Sequence, residues 1–148
     1  MYILNWITLS VLSAVTFALG DLVVVKSSIE HIGVTVMFII YTILVGIINF
    51  IYLFYNYSTY QNHINSLTYN QWSLIILMSI FYIIAYLSHF MGLQKAPNPG
   101  YSNALVMFHV AILTLLSYFL YNKPLNRYGI IGILLMMIGG YMISVYTS

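Results

Sequence analysis

Asp21 is the residue of this sequence best placed to do chemistry. It is one of two acidic residues among 148, and it lies inside an apolar stretch long enough to cross a membrane, whereas Glu30 follows that stretch. A charged group inside a span costs about 3 kcal/mol even on lenient scales, so it marks a functional position. The carboxyl group can bind a ligand or carry a proton, or it can be satisfied by a structural partner such as a histidine or a backbone group.

Other polar residues recur at helical spacing along the apolar stretches. When successive residues are placed 100° apart around a helix, the polar and small residues of each stretch fall on one face. Ser13 lies on the same face as Asp21. We predict that these faces line a pathway for a substrate or a proton. The predicted pathway residues are Asp21, His89, His109, Ser13, Asn49, Tyr82 and Tyr86. The alternative is that the faces only pack against neighbouring helices and that each histidine is a satisfied interior residue.

Depth along the spans groups three of these residues. Taking side A as the amino-terminal side, Asp21 and His89 lie near the side-B ends of their spans and His109 lies deeper, which predicts a polar cavity open to side B. One acid and two histidines match no metal-ligand spacing, so we predict no metal site. Phosphate loops, metalloprotease helices and nucleophile elbows are absent from the sequence. We therefore predict no enzyme activity and no cofactor.

The elements that must carry these residues are apolar helices. Hydrophobic residues make up 62% of the chain and charged residues only 4%, whereas a soluble domain has about a quarter charged. Five stretches reach the length of about 20 residues that a bilayer requires. We predict an all-α, multi-pass integral membrane protein with one domain over residues 1–148. Its helices are expected at about residues 3–25, 33–55, 72–93, 100–121 and 128–146. The net charge of +2, without a basic cluster, predicts the lipid bilayer rather than nucleic acid as a partner.

The connections between the stretches contain helix stop and start signals. Pro97 ends the third helix, Asn98 caps the fourth, and Pro99 fits the first turn of that helix. Asn126 is the expected cap of the fifth helix. Residues 56–71 are polar and are expected to form the one sizeable loop.

The last stretch carries two glycines seven residues apart. Gly132 and Gly139 fall on nearly one face of a helix, so another helix can approach closely there. This face can pack against another helix of the same chain or form a contact between two copies in a dimer.

Several segments together resemble an EamA-type repeat of the drug/metabolite transporter superfamily. The matching segments are residues 12–20 with Lys26 at the helix end, residues 92–105, residues 113–117, and residues 130–132 with Gly139. The last helix is also similar to the dimerising helix of small multidrug-resistance transporters. Val110 stands where the family often has a proline, which leaves a kink of the fourth helix without its usual cause. Lys123 stands where the family often has an acid, which alters the charge of that loop.

The resemblance implies a function. Members of the superfamily usually carry two five-helix repeats in opposite orientation, and this sequence has one. It therefore implies a half-size secondary transporter for a small molecule that acts as a homodimer. The alternatives are a non-transporting membrane assembly or regulatory subunit, and a flippase for a lipid or lipid-linked sugar.

The basic residues leave the orientation of the chain undecided. Lys26 and Lys95 fall on side B, and Lys123 and Arg127 fall on side A. Because the side richer in Lys and Arg stays cytoplasmic, an even tally predicts insertion in both orientations. The two orientations then allow an antiparallel pair, with a parallel pair or another half-size chain as the competing arrangements.

Overall fold

A computed structural model describes residues 6–146, except the side chains of residues 6–8, 28, 144 and 146. Within this range the chain forms α-helices and no strand, which confirms the all-α fold class. The seven helices of this range are α1 (Trp6–Ile29), α2 (Val34–Tyr55), α3 (Tyr57–Asn65), α4 (Tyr69–Lys95), α5 (Pro99–Val106), α6 (Phe108–Tyr121) and α7 (Arg127–Tyr146). Residues 3–5 of the predicted first helix lie outside the described range.

Four helical stretches of the described chain are long and apolar enough to cross a bilayer. They are Leu9–Ser27, Val34–Tyr55, Tyr69–Lys95 and Pro99–Tyr121. A fifth apolar stretch, Arg127–Ile143, falls short of that length within the described side chains. The structure therefore agrees with an integral membrane protein, and the fifth crossing stays a prediction.

The predicted polar loop at residues 56–71 is wrong, because its first part forms α3. Asn56 is the single residue between the end of α2 and the start of α3. Its side-chain amide donates to the Tyr52 carbonyl oxygen at 2.9 Å. The Tyr52 and Tyr60 hydroxyl groups, 3.2 Å apart, share a hydrogen bond between the two helices. This bond raises the pKa of Tyr60 above that of an ordinary tyrosine, with a further contribution from the Tyr52 charge.

The beginning of α4 is set by a reciprocal cap. The Thr68 backbone N–H donates to Gln71 Oε1 at 2.8 Å, and the Gln71 backbone N–H donates to Thr68 Oγ1 at 3.4 Å. This capping box satisfies backbone donors that the first turn leaves without helical partners. As a result, α4 begins at Tyr69, three residues before the predicted start at Trp72.

The predicted caps at the two asparagines are confirmed. Asn98 Oδ1 accepts from the Gly100 N–H at 2.8 Å, and Pro99 occupies the first turn of α5. Asn126 Oδ1 accepts from the Tyr128 N–H at 3.1 Å at the start of α7. Between them, Asn122 ends α6 in the left-handed region at φ 51°, which asparagine tolerates better than most residues.

The predicted fourth span, residues 100–121, falls on the apolar helical stretch Pro99–Tyr121. The span divides into α5 and α6 at Met107, although residue 110 is valine rather than proline. The Met107 N–H still reaches the Asn103 carbonyl oxygen at 3.1 Å. The Val110 N–H then donates to Met107, three residues back, at 3.0 Å, instead of to residue 106. The break therefore arises from a local change in hydrogen bonding.

The described residues form two compact units, residues 6–25 with 92–146 and residues 26–91. The second unit has an aromatic core between α2 and α4. The Phe38 and Phe90 rings meet edge to face at 5.9 Å, and Tyr41 lies 5.6 Å from Phe90. Most other large apolar side chains of the described chain are exposed, as expected where lipid is the solvent.

In the first unit, α7 approaches α5 and α6 at a glycine. A Cβ atom on Gly140 would lie 2.9 and 3.0 Å from two ring carbons of Phe108 and 3.9 Å from the Ala104 carbonyl oxygen. Ala104 and Phe108, which lie on either side of the break at Met107, therefore both approach α7 at Gly140.

We expect Gly140→Ala to lower the thermal unfolding temperature of the purified protein. The added methyl group must displace the Phe108 ring, and overpacking of this kind costs about 1–3 kcal/mol. Gly129→Ala is the matched control on the same helix, because its Cβ would meet nothing within 4 Å among the described residues. Equal unfolding temperatures for the two variants would show that the approach at Gly140 contributes nothing to stability.

Candidate functional site

Asp21 is the buried polar residue around which the first unit places a possible site. It lies in α1 and is 8% exposed. Asn103, on α5, donates from Nδ2 to Asp21 Oδ2 at 2.8 Å. The two residues are 82 positions apart, so this hydrogen bond exists only in the folded chain. Asn103 therefore holds one oxygen of the Asp21 carboxyl group in place.

The sequence around the junction of α4 and α5 allows this contact. A Cβ atom on Gly92 would lie 2.7 Å from Ser102 Oγ, so the glycine lets α5 approach the end of α4. The Asn98 cap fixes where α5 begins. Asn103 follows Ser102 directly, so the close approach at Gly92 also brings Asn103 near the end of α4.

His109 lies in the same unit, two residues after the break at Met107. Its Nδ1 atom lies 2.8 Å from the Val106 carbonyl oxygen, which places the imidazole against the end of α5. The side chain is exposed on its own chain. His109 lies near the middle of the apolar stretch Pro99–Tyr121, and its depth in the membrane stays a prediction.

Three predicted pathway residues lie along α4 in the second unit. The Tyr82 and Tyr86 rings stack one helical turn apart, with centroids 6.0 Å apart and an interplanar angle of 27°. Tyr82 is 56% exposed, and Tyr86 is half-buried. The His89 ring lies 6.4 Å from Phe90, beside the aromatic core. These side chains form an aromatic face with hydroxyl and imidazole groups.

The remaining predicted pathway residues have less support. Ser13 is exposed on α1, and its carbonyl oxygen accepts from the Thr16 hydroxyl at 3.0 Å. Asn49 is exposed on α2. Asp21 and His89 belong to different units, so the cavity expected between them stays a prediction. The described residues contain no group of three or more potential metal ligands.

A comparison of the sequence with known protein families covers nearly the whole chain. The sequence model of the EamA-like transporter family matches residues 4–145. The chain belongs to the EamA-like transporter family. It is thereby a member of the drug/metabolite transporter superfamily, an integral membrane protein with a transporter-like function. No curated protein and no solved structure matches the chain.

Asn103 is the site residue of this EamA-like chain that sequence reasoning missed. Its signal was present, because it is a polar residue within a membrane span, where a side-chain amide needs a partner. Pairing it with Asp21 required knowing that α5 lies beside α1. Helical periodicity gives the faces of each helix but not their neighbours.

Proposed function

We propose that this EamA-like chain is a half-size secondary transporter that moves a small molecule across a membrane and works as a homodimer. The observation that carries the proposal is the Asp21 carboxyl group, buried in an apolar span and held by the uncharged amide of Asn103. An ionisable group kept at such a position marks a substrate, ion or proton pathway in membrane proteins. A chain that only held other subunits together would not need this charge.

A second copy of the chain supplies the second repeat that the substrate site requires. Transporters of this kind build the substrate site at the interface of two repeats near the middle of the membrane, and this chain provides one repeat. Most of the large apolar side chains along its described helices are exposed. A closed two-fold pair is the commonest way for identical chains to complete such an interface.

The last helix offers a candidate contact for the second copy. A Cβ atom at Gly132 or Gly139 would meet nothing within 4 Å among the described residues, whereas Gly140 receives Phe108 of the same chain. Gly132 and Gly139 therefore lie on a part of α7 that is open to another helix, where small residues permit close packing.

Uptake by the purified protein in liposomes tests the proposal. Radiolabelled amines, amino acids, sugars and nucleosides are offered outside, with an imposed pH gradient across the liposome membrane. We expect at least one compound to accumulate inside faster than in protein-free liposomes. A folded protein that accumulates none of them, yet scrambles fluorescent lipids, would favour the flippase. A folded protein inactive in both assays would favour the non-transporting subunit.

A further inference from the structure

The break in the fourth span is bridged by a side chain. In a continuous helix the Val106 carbonyl oxygen would accept from the backbone N–H of Val110. That N–H donates to Met107 instead, at 3.0 Å. The Val106 oxygen is 2.8 Å from Nδ1 of His109, so the imidazole takes the place of the missing backbone donor.

This contact determines which ring nitrogen carries the proton. A carbonyl oxygen only accepts hydrogen bonds, so Nδ1 of His109 must be the donor. In the neutral ring, Nε2 is then an acceptor with an unshared electron pair. Nε2 of His109 has no hydrogen-bond partner among the described residues, and the side chain is exposed.

The residue before His109 packs within the chain. Phe108, the preceding residue, is fixed against α7, because Gly140 leaves room for its ring at the helix surface. His109 lies about 100° further around α6, away from that contact. Near the middle of a span, an acceptor that faces lipid alone is unfavourable, because lipid offers no hydrogen-bond donor. Nε2 therefore needs a donor, and the described residues place none beside it.

We propose that Nε2 of His109 is a hydrogen-bond acceptor for the transported molecule, and that this molecule is a small protonated amine. This inference rests on the proposed function and names its substrate class. An ammonium group offers N–H donors to His109, and its positive charge complements the carboxyl group of Asp21, which belongs to the same unit. A quaternary ammonium has the charge but lacks the donors, which gives a direct test.

Nitrogen NMR on the full-length protein with ¹⁵N-labelled histidine provides that test. The sequence has four histidines, so a His109→Asn sample identifies the His109 signals by their loss. Spectra are recorded at about pH 8, above the ordinary histidine range near 6.5. Methylammonium chloride and tetramethylammonium chloride are compared at equal ionic strength.

We expect His109 to carry its proton on Nδ1 and its Nε2 resonance to move with methylammonium but not with tetramethylammonium. A proton on Nε2 instead would overturn the proposal. So would an Nε2 resonance that responds to neither probe, or equally to both. If the Nε2 resonance responds to methylammonium but the protein transports none of the compounds, the amine site is supported and the transport function is rejected.

Two variants separate the two ring nitrogens. His109→Asn places an amide donor near the position of Nδ1 and removes Nε2, whereas His109→Gln places an amide near Nε2 and loses the inner donor. We expect His109→Asn to unfold at the wild-type temperature but to take up amine about tenfold more slowly, the effect of about 1.4 kcal/mol. His109→Gln should unfold at a lower temperature. Wild-type uptake by His109→Asn would reduce His109 to a structural role.

Discussion

Asp21→Asn is expected to abolish uptake driven by a pH gradient while the protein folds and assembles normally. The buried carboxyl group is the acid within the described membrane spans, and its amide counterpart cannot exchange a proton. Folding should survive, because the new side-chain oxygen can still accept the hydrogen bond from Asn103. The measurement compares initial uptake rates in liposomes with and without the gradient, alongside thermal unfolding of the same preparation.

Glu30→Gln is the matched control for this variant. Glu30 is the other acid of the sequence, lies at the exposed end of α1, and is 4.0 Å from Lys26 with its side chain 59% exposed. Removing that charge should leave uptake unchanged, since exposed ion pairs contribute little. Gradient-driven uptake at the wild-type rate in Asp21→Asn would exclude Asp21 from the mechanism. His89→Ala and His109→Ala should reduce uptake less than Asp21→Asn does.

Fixing the chain in one orientation is expected to remove most of the activity. Ser58→Lys with Asn65→Lys adds two basic residues at exposed positions of α3, on side A of the five-crossing arrangement. Lys123→Ser with Arg127→Ser removes both basic residues that side A already has. Because the side richer in Lys and Arg stays cytoplasmic, the two double variants should insert in opposite, uniform orientations.

Each of these variants alone should transport poorly if the active pair is antiparallel. Orientation is measured with single cysteines at Tyr2 and Thr147, which the cysteine-free sequence allows, and a membrane-impermeant reagent. In the wild type both termini should be labelled from either face, in different molecules. Labelling of both termini within one oriented molecule would contradict an odd number of crossings.

The arrangement of helices along the chain was predictable because lipid imposes a simple rule. A spanning segment must satisfy its own backbone and be apolar for about 20 residues, so composition alone located the long helices. The caps at Asn98 and Asn126 were predictable because their side chains act on backbone groups two residues away. α3 was missed because its sequence is polar, with Tyr52 on α2 contributing through a contact between helices.

The site was predictable only in part. Asp21 could be identified from the sequence alone, because an acidic residue in an apolar span is rare. Its partner Asn103 depends on which helices are neighbours, which periodicity does not give. The division of the fourth span at Met107 was not predicted, because no proline marks it and residue 110 is valine.

Co-expression of the two oppositely oriented double variants tests the central claim, a half-size transporter that works as an antiparallel pair, most directly. Each variant is first measured alone, and the two are then produced in the same membrane and purified together through a tag on only one of them. The account predicts low uptake from each variant alone and restored uptake from the co-purified pair. Full uptake from either uniformly oriented population would contradict it.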